Sequence, residues 1–200
     1  MGRSKSLLPW NGTTLIKHQV CSLRRGGCCE VVVVLGHQSD ELISELDGLD
    51  VILAENTDYK TGRISSIKCG VQTASSETDC YVLLGVDQPR HFSIVATLIK
   101  SHVRTKSLVT SPRFEEKGGH PVIFSSKLRE EILALEEGDG GLRKVFNEYR
   151  DVVNEVKFSD QEIHLDLNTL EEYETALSKY SRYPTSLNLP TDLRHSVIPR

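Results

Sequence analysis

The stretch Glu30-Val31-Val32-Val33-Val34-Leu35-Gly36 decides how the rest of the chain is read. It is a continuous β-branched run without polar alternation, the pattern of a strand covered on both faces. Upstream, Thr13 or Thr14 can cap a helix reaching about Arg25, with Leu15, Ile16, Val20 and Leu23 at helical spacing, and Gly26-Gly27 ends it. Downstream, Ser39 or Asp40 opens a helix carrying Leu42, Ile43 and Leu46, and residues 50–55 form a second apolar strand. Residues 56–62 read as a polar loop, 63–75 as a helix and 81–85 as a strand. Residues 91–103 read as a helix with Ile94, Val95, Leu98 and Ile99 on one face, and 107–110 as a short strand. This alternation predicts an α/β domain with a mostly parallel central sheet flanked by helices and right-handed crossovers. In such sheets ligands bind beyond the carboxyl ends of the strands. The loops to examine are those after Leu35, Glu55 and Gly85.

The second half is less regular. Residues 113–121 read as an excursion and 122–124 as a return to strand. Helices over 128–135 and 142–149 flank the turn Gly138-Asp139-Gly140-Gly141, and 152–156 and 162–165 read as strands. Thr169 with Glu172 three positions on is a capping box for a terminal helix reaching Lys179. From Ser181 onward Pro, Ser, Arg and Asn dominate, which predicts a domain over 1–180 and a loosely attached tail over 181–200.

Two hundred residues suffice for one domain with a sizeable core. A net charge of -4 argues against a broad basic surface for nucleic acid or anionic membrane. The longest apolar run, Val31 to Leu35, is too short to span a bilayer. Pro9, Asn11 and Lys17 interrupt the first apolar stretch, so it does not read as a signal peptide. The five cysteines (Cys21, Cys28, Cys29, Cys69 and Cys80) are odd in number and form no Cys-x-x-Cys pair. They predict reduced thiols in a cytoplasmic protein, not a disulfide framework or a structural zinc site. Gly-x-Ser-x-Gly, Gly-x-Gly-x-x-Gly and P-loop patterns are all missing from the sequence.

Asp87, in Leu83-Leu84-Gly85-Val86-Asp87-Gln88-Pro89, is the sharpest chemical candidate. A carboxylate at a strand end faces the ligand edge of the sheet and can hold Mg²⁺, a hard ion that shares phosphate oxygens with its substrate. The competing reading is a turn or helix cap. Lys5, in Met1-Gly2-Arg3-Ser4-Lys5-Ser6-Leu7-Leu8-Pro9, offers a mobile ammonium for phosphate charge, against the plainer reading of a solvated lysine. Gly62-Arg63-Ile64-Ser65-Ser66-Ile67-Lys68-Cys69-Gly70-Val71 opens a helix whose N-terminal N–H groups suit polar or anionic ligands; an ordinary helix with Ile64, Ile67 and Val71 in the core is the alternative. Gly118-Gly119-His120-Pro121-Val122-Ile123-Phe124 offers His120 as a ligand or a turn residue. Gly138-Asp139-Gly140-Gly141-Leu142-Arg143 offers Asp139 as a helix cap and Arg143 as its partner or a phosphate contact.

In this order the segments resemble the MobA-like nucleotidyltransferases, the group that includes the molybdenum cofactor cytidylyltransferases. The matching motifs are Met-Gly-x-x-Lys-x-Leu-Leu-Pro, Gly-x-x-x-Ser-Leu-x-x-Gly-Leu, Asp-Gln-Pro, Gly-His-Pro-Val-x-Phe and Gly-Asp-x-Gly-Ala-Arg. The resemblance runs to about Leu177 and implies a glycosyltransferase-A-like three-layer α/β sandwich. It implies transfer of a nucleotidyl group, with CTP favoured, to the phosphate of molybdopterin or a related acceptor, releasing pyrophosphate. By the same resemblance Lys5 and Asp87 are catalytic and Asp87 holds Mg²⁺. Gly2, Arg3, Lys5, Asn56, Ser65, Ser66 and Gly70 bind nucleotide, and Gln88, His120 and Arg143 bind the acceptor. A molybdoenzyme or its chaperone is the implied protein partner. Asp166-Leu167-Asn168-Thr169-Leu170-Glu171-Glu172 resembles the family's Asp-Ile-Asp-Thr-Pro-Glu-Asp, with Asn168 in place of a carboxylate. In the family, a buried strand and a loop of the form Leu-Ala-Ala-Gly-x-x-x-Arg precede the Lys-x-Leu-Leu-Pro segment. Their expected place lies ahead of Met1, so the resemblance implies either an internal methionine of a longer enzyme or a degenerate domain that binds nucleotide or a partner. A sugar- or alditol-phosphate nucleotidyltransferase of the same fold is a further expectation.

Overall fold

The computed structural model describes residues 5–36, 40–138 and 140–180. The first elements are a 3-10 turn over Lys5–Leu7 and a small hairpin, β1 (Pro9–Trp10) with β2 (Thr13–Thr14), turned through Asn11 and Gly12 at positive φ. Helix α1 (Leu15–Arg25) starts where expected, because the Thr14 side chain accepts from the Lys17 amide. Strand β3 (Val32–Leu35), helix α2 (Asp40–Leu46) and strand β4 (Ile52–Glu55) follow, and β3 and β4 pair in parallel. Next come α3 (Arg63–Thr73), β5 (Cys80–Leu83), α4 (Phe92–Thr105), β6 (Val109–Phe114), β7 (Lys117–Gly118) and β8 (Val122–Ser125). The chain ends through α5 (Arg129–Leu133), α6 (Leu142–Glu148), β9 (Asn154–Lys157) and α7 (Leu170–Tyr180).

The sheet is mixed, which corrects the expectation of a mostly parallel one. β5 and β6 each pair antiparallel with β8, β7 folds back on β6, and β9 runs parallel to β6. Residues 113–121 are therefore a hairpin excursion, too short for the crossover that a parallel return needs. Residues 162–165 are not a strand. They belong to a 3-10 turn over Gln161–His164, opened by the Asp160 side chain accepting from the Glu162 amide.

Side-chain alternation along β5 and β8 builds the two faces. Tyr81 and Phe124 point toward α3, α5 and α6, where Ile64, Val71, Ile132 and Val145 complete one core. Val82 and Ile123 point the other way, against Ile94 and Leu98 of α4. The result is a helix–sheet–helix sandwich. α3 also packs on β3, where Gly70 lies against Val34 and a Cβ would come to 3.2 Å. α1 covers Val31 and Leu46. Thus α1 and α3 each reach both the β3–β4 pair and the larger sheet, although no bridge between β3 and β5 is present among the described residues. The Val32–Val34 run is accordingly half-buried, not fully covered as its composition suggested.

Candidate active site

The loop after β5 is held from three directions. Its own turn closes when the Gln88 amide donates to the Gly85 carbonyl (3.1 Å) and the Gly85 amide donates to Gln88 Oε1 (3.2 Å). From α1, Gln19 Nε2 donates to the carbonyls of Gly85 (2.7 Å) and Gln88 (2.8 Å), and Gln19 Oε1 accepts from the Arg90 amide (3.2 Å). From the C-terminal segment, the Leu167 amide donates to the Asp87 carbonyl (2.8 Å). Asp87 is left half-buried, with its carboxylate over Gly85, where a Cβ would come to 2.5 Å from Oδ1. Glycine is thus the residue that leaves room for this carboxylate.

Asp166, beside Leu167, has a buried Oδ1 with no hydrogen-bond partner among the described residues. Its charge acts on both Arg90 and His120. A buried carboxylate oxygen lacking a donor is costly unless a cation or ligand meets it. Asp87 and Asp166 are thus the two carboxylates that could share a hard divalent ion. Among the described residues no cluster of three or more His, Cys, Asp or Glu could hold a metal unaided.

Lys5 begins the first 3-10 turn, half-buried, and its charge helps hold the Glu172 carboxyl below its usual range. The larger cause there is the Thr169 amide, which donates to Glu172 at 2.8 Å while the Glu172 amide donates back to Thr169 Oγ1 at 3.1 Å. The capping box is formed as expected, and its Glu172 feels the Lys5 charge. His120 is half-buried on the loop before β8, its amide donating to the Ile163 carbonyl (2.9 Å). Burial, with Arg90 and Arg63 nearby, pushes its imidazole down to about 4, so it is neutral at physiological pH.

Other expected contacts are already occupied within the protein. Asn56 Nδ2 donates to Ser65 Oγ (2.9 Å) and Ser66 Oγ (3.0 Å), while its Oδ1 accepts from the Asp58 amide (3.0 Å). Asn56, Ser65 and Ser66 therefore lock the β4 loop onto α3. The N-terminus of α3 is also filled: the Glu137 carboxylate accepts from the Ile64 and Ser65 amides. Gly70 serves helix–strand packing, and Gln88 is buried in its own turn. Arg143 stands exposed in the first turn of α6. Gly2, Arg3 and Asp139, like the tail over 181–200, lie outside the described residues.

The profile of the MobA-like NTP transferase domain matches residues 1–152. The chain belongs to that family. It is 30% identical over 180 residues to the nicotine blue oxidoreductase of Paenarthrobacter nicotinovorans, covering 86% of this chain and 87% of that protein. The structure of Rv0371c from Mycobacterium tuberculosis H37Rv in complex with manganese is similar at a TM-score of 0.72 and 26% identity, over 88% of this chain and 93% of that one. A nucleotidyl transferase from Methanothermobacter thermautotroptrophicus, Mth528, shares the fold at a TM-score of 0.73 and 23% identity, over 88% and 84%. The chain is thus a nucleotidyltransferase by family, with the α/β fold of that group.

Sequence reasoning missed Gln19, Arg90 and Glu137. Each acts on backbone groups far away along the chain, which leave no side-chain signature. For Arg90, the Asp-Gln-Pro motif three positions before it was the available pointer.

Proposed function

We propose that this enzyme moves a nucleotidyl group from a nucleoside triphosphate, CTP in the favoured case, to the phosphate of molybdopterin or a related acceptor. An acceptor phosphate oxygen attacks the α-phosphorus, the bond to the β-phosphate oxygen breaks, and pyrophosphate leaves. The observation that carries this reading is the Asp87 loop, with Gly85 making room for the carboxylate and Asp166 presenting a buried oxygen without a donor.

Asp87 and Asp166 would hold Mg²⁺, which when bound supplies charge neutralisation for the triphosphate. A manganese complex of a family relative agrees with a divalent ion. Lys5, whose charge reaches Glu172 a few residues beyond Asp166, would offset charge on the departing pyrophosphate. His120, neutral, offers a hydrogen bond to the acceptor in place of a charge. The chemistry demands no covalent nucleophile, so positioning and electrostatics are the protein's main contribution. Asn56, Ser65 and Ser66 support the nucleotide side by fixing the β4 loop against α3.

The test is to supply CTP, GTP, UTP or ATP with Mg²⁺ and molybdopterin, then measure pyrophosphate and the mass of the nucleotidylated product. CMP transfer that is lost in Asp87→Asn is the expected result. Product formed only with sugar or alditol phosphates would overturn the acceptor. Nucleotide binding without turnover would move the chain to a binding role.

A further inference from the structure

Among the described residues Arg90 is the largest side chain almost fully enclosed in the core, 1% exposed, yet it forms no hydrogen-bonded ion pair with a carboxylate there. Among the described residues its guanidinium donates to main-chain carbonyls alone: Nε to His120 (2.9 Å), Nη1 to Pro89 (2.9 Å) and Leu165 (2.9 Å), and Nη2 to Ile163 (2.8 Å). Its own carbonyl accepts from Ser22 Oγ (2.6 Å) and His18 Nε2 (3.2 Å) of α1. One planar fork therefore ties together the loop that carries Asp87, the loop that carries His120 and the segment that leads to Asp166. Lysine lacks this geometry, because its three donors radiate from one point. Burial lowers the Arg90 pKa to about 10, which leaves it cationic, with Glu162, Asp166 and Asp87 opposing the shift.

Resting on the reading of Asp87 and Asp166 as metal-holding carboxylates, we propose that Arg90 is a positioning residue. It fixes the mutual placement of the two carboxylates and of the His120 acceptor loop without touching substrate. Its effect should fall on metal affinity and on the acceptor, leaving the nucleotide side, held by the Asn56 network, unchanged once metal is saturating.

The test uses the full chain and Arg90→Lys, which keeps the charge and removes the fork. Outer-shell partners of metal ligands are worth about 10- to 100-fold in affinity or activity. Arg90→Lys is expected to weaken Mn²⁺ binding, measured by electron paramagnetic resonance on protein and metal alone, by about tenfold. At saturating metal it is also expected to raise the acceptor KM and lower kcat, with the nucleotide KM within about twofold. A folded Arg90→Lys with wild-type Mn²⁺ affinity and wild-type acceptor KM overturns the proposal. So does a uniform loss that merely follows the folded fraction in a thermal melt.

Should Arg90→Lys not fold, Gly119→Ala asks the same question from the other side. A Cβ at Gly119 meets the Ile163 carbonyl, so it parts the His120 loop from the 163 segment and draws apart two of the carbonyls that the unaltered Arg90 side chain holds together. It should reproduce the raised acceptor KM; an unchanged one overturns the proposal. Wild-type protein that binds Mn²⁺ but transfers no nucleotidyl group would sink the proposed function. The Mn²⁺ comparison would still decide the role of Arg90.

Discussion

The Leu167 amide donates to the Asp87 carbonyl at 2.8 Å, which fastens the segment before α7 to the loop after β5. Through that bond Asp166 shares a neighbourhood with Asp87, although the two residues belong to distant parts of the chain. Asp166 keeps one buried oxygen without a donor among the described residues, a cost to the fold that a bound cation or ligand would offset.

Function and stability should therefore separate at Asp166. Asp166→Ala removes a buried oxygen that has no donor among the described residues and also a charge that favours the buried Arg90 cation, so the two effects offset and the apo protein should stay within about 1 kcal/mol of wild type. Nucleotidyl transfer should fall by at least about tenfold. Urea unfolding beside a pyrophosphate-release assay checks both. A variant that loses activity and stability together would mean that Asp166 is structural.

Gly85→Ala addresses the other carboxylate. The added Cβ would stand 2.5 Å from Asp87 Oδ1, so the carboxylate must move or the turn must open. The Gln88 amide to Gly85 carbonyl bond is main chain and alanine can retain it, while the Cβ also presses on the Gln88 side chain at 3.3 Å, so the fold should lose about 1–2 kcal/mol. Activity should approach that of Asp87→Asn. Near-wild-type activity in Gly85→Ala would show that the Asp87 rotamer is irrelevant to transfer.

Local devices were legible in the sequence and distant ones were not. The Thr169–Glu172 capping box and the Thr14 cap involve residues three apart, so the pattern contains both partners. The 161–164 turn was misread because Ile163 and Leu165 alternate like a strand. Their carbonyls instead face Arg90, and nothing in the side-chain sequence records where a carbonyl points. The α3 N-terminus read as open to an anion because Glu137, which fills it, lies far along the chain. Asp87 was legible because glycine, carboxylate and proline at a strand end each constrain the backbone there. Arg90 was not, because an isolated arginine ordinarily reads as surface.

His18 makes stability depend on pH. It is 3% exposed, with Nε2 donating to the Arg90 carbonyl and Nδ1 without a partner among the described residues, and burial pushes its pKa down to about 4. The unfolded chain takes up a proton near pH 6.5, whereas the folded chain refuses it until about pH 4. His18 therefore costs the fold nothing above pH 6.5 and destabilises it progressively as pH falls toward 4, by up to about 1.4 kcal/mol per pH unit. His120, also pushed down to about 4, adds a slope of the same sign. His91 and His102, also held down by burial, add to it, and urea unfolding between pH 7 and 5 should give stability rising with pH, with a shallower slope in His18→Gln. An unchanged slope in His18→Gln would rule out His18 as its source.

Thiol chemistry should distinguish two adjacent residues. Cys29 is exposed, whereas Cys28 packs against the core formed by Ile16, Val20 and Val31. Burial pushes the Cys28 thiol up to about 12, with Cys80 and Cys29 adding to the shift, so at pH 7.5 its thiolate fraction is below about 10⁻⁴. Only the thiolate attacks an alkylating agent, and access limits what remains. Iodoacetamide followed by peptide mass analysis should label Cys29 well before Cys28 in the folded protein. In urea, where burial is gone, the two should react at similar rates. Equal rates in the folded protein would mean that the turn carrying Gly26 and Gly27 opens freely, exposing Cys28 and the end of α1 together.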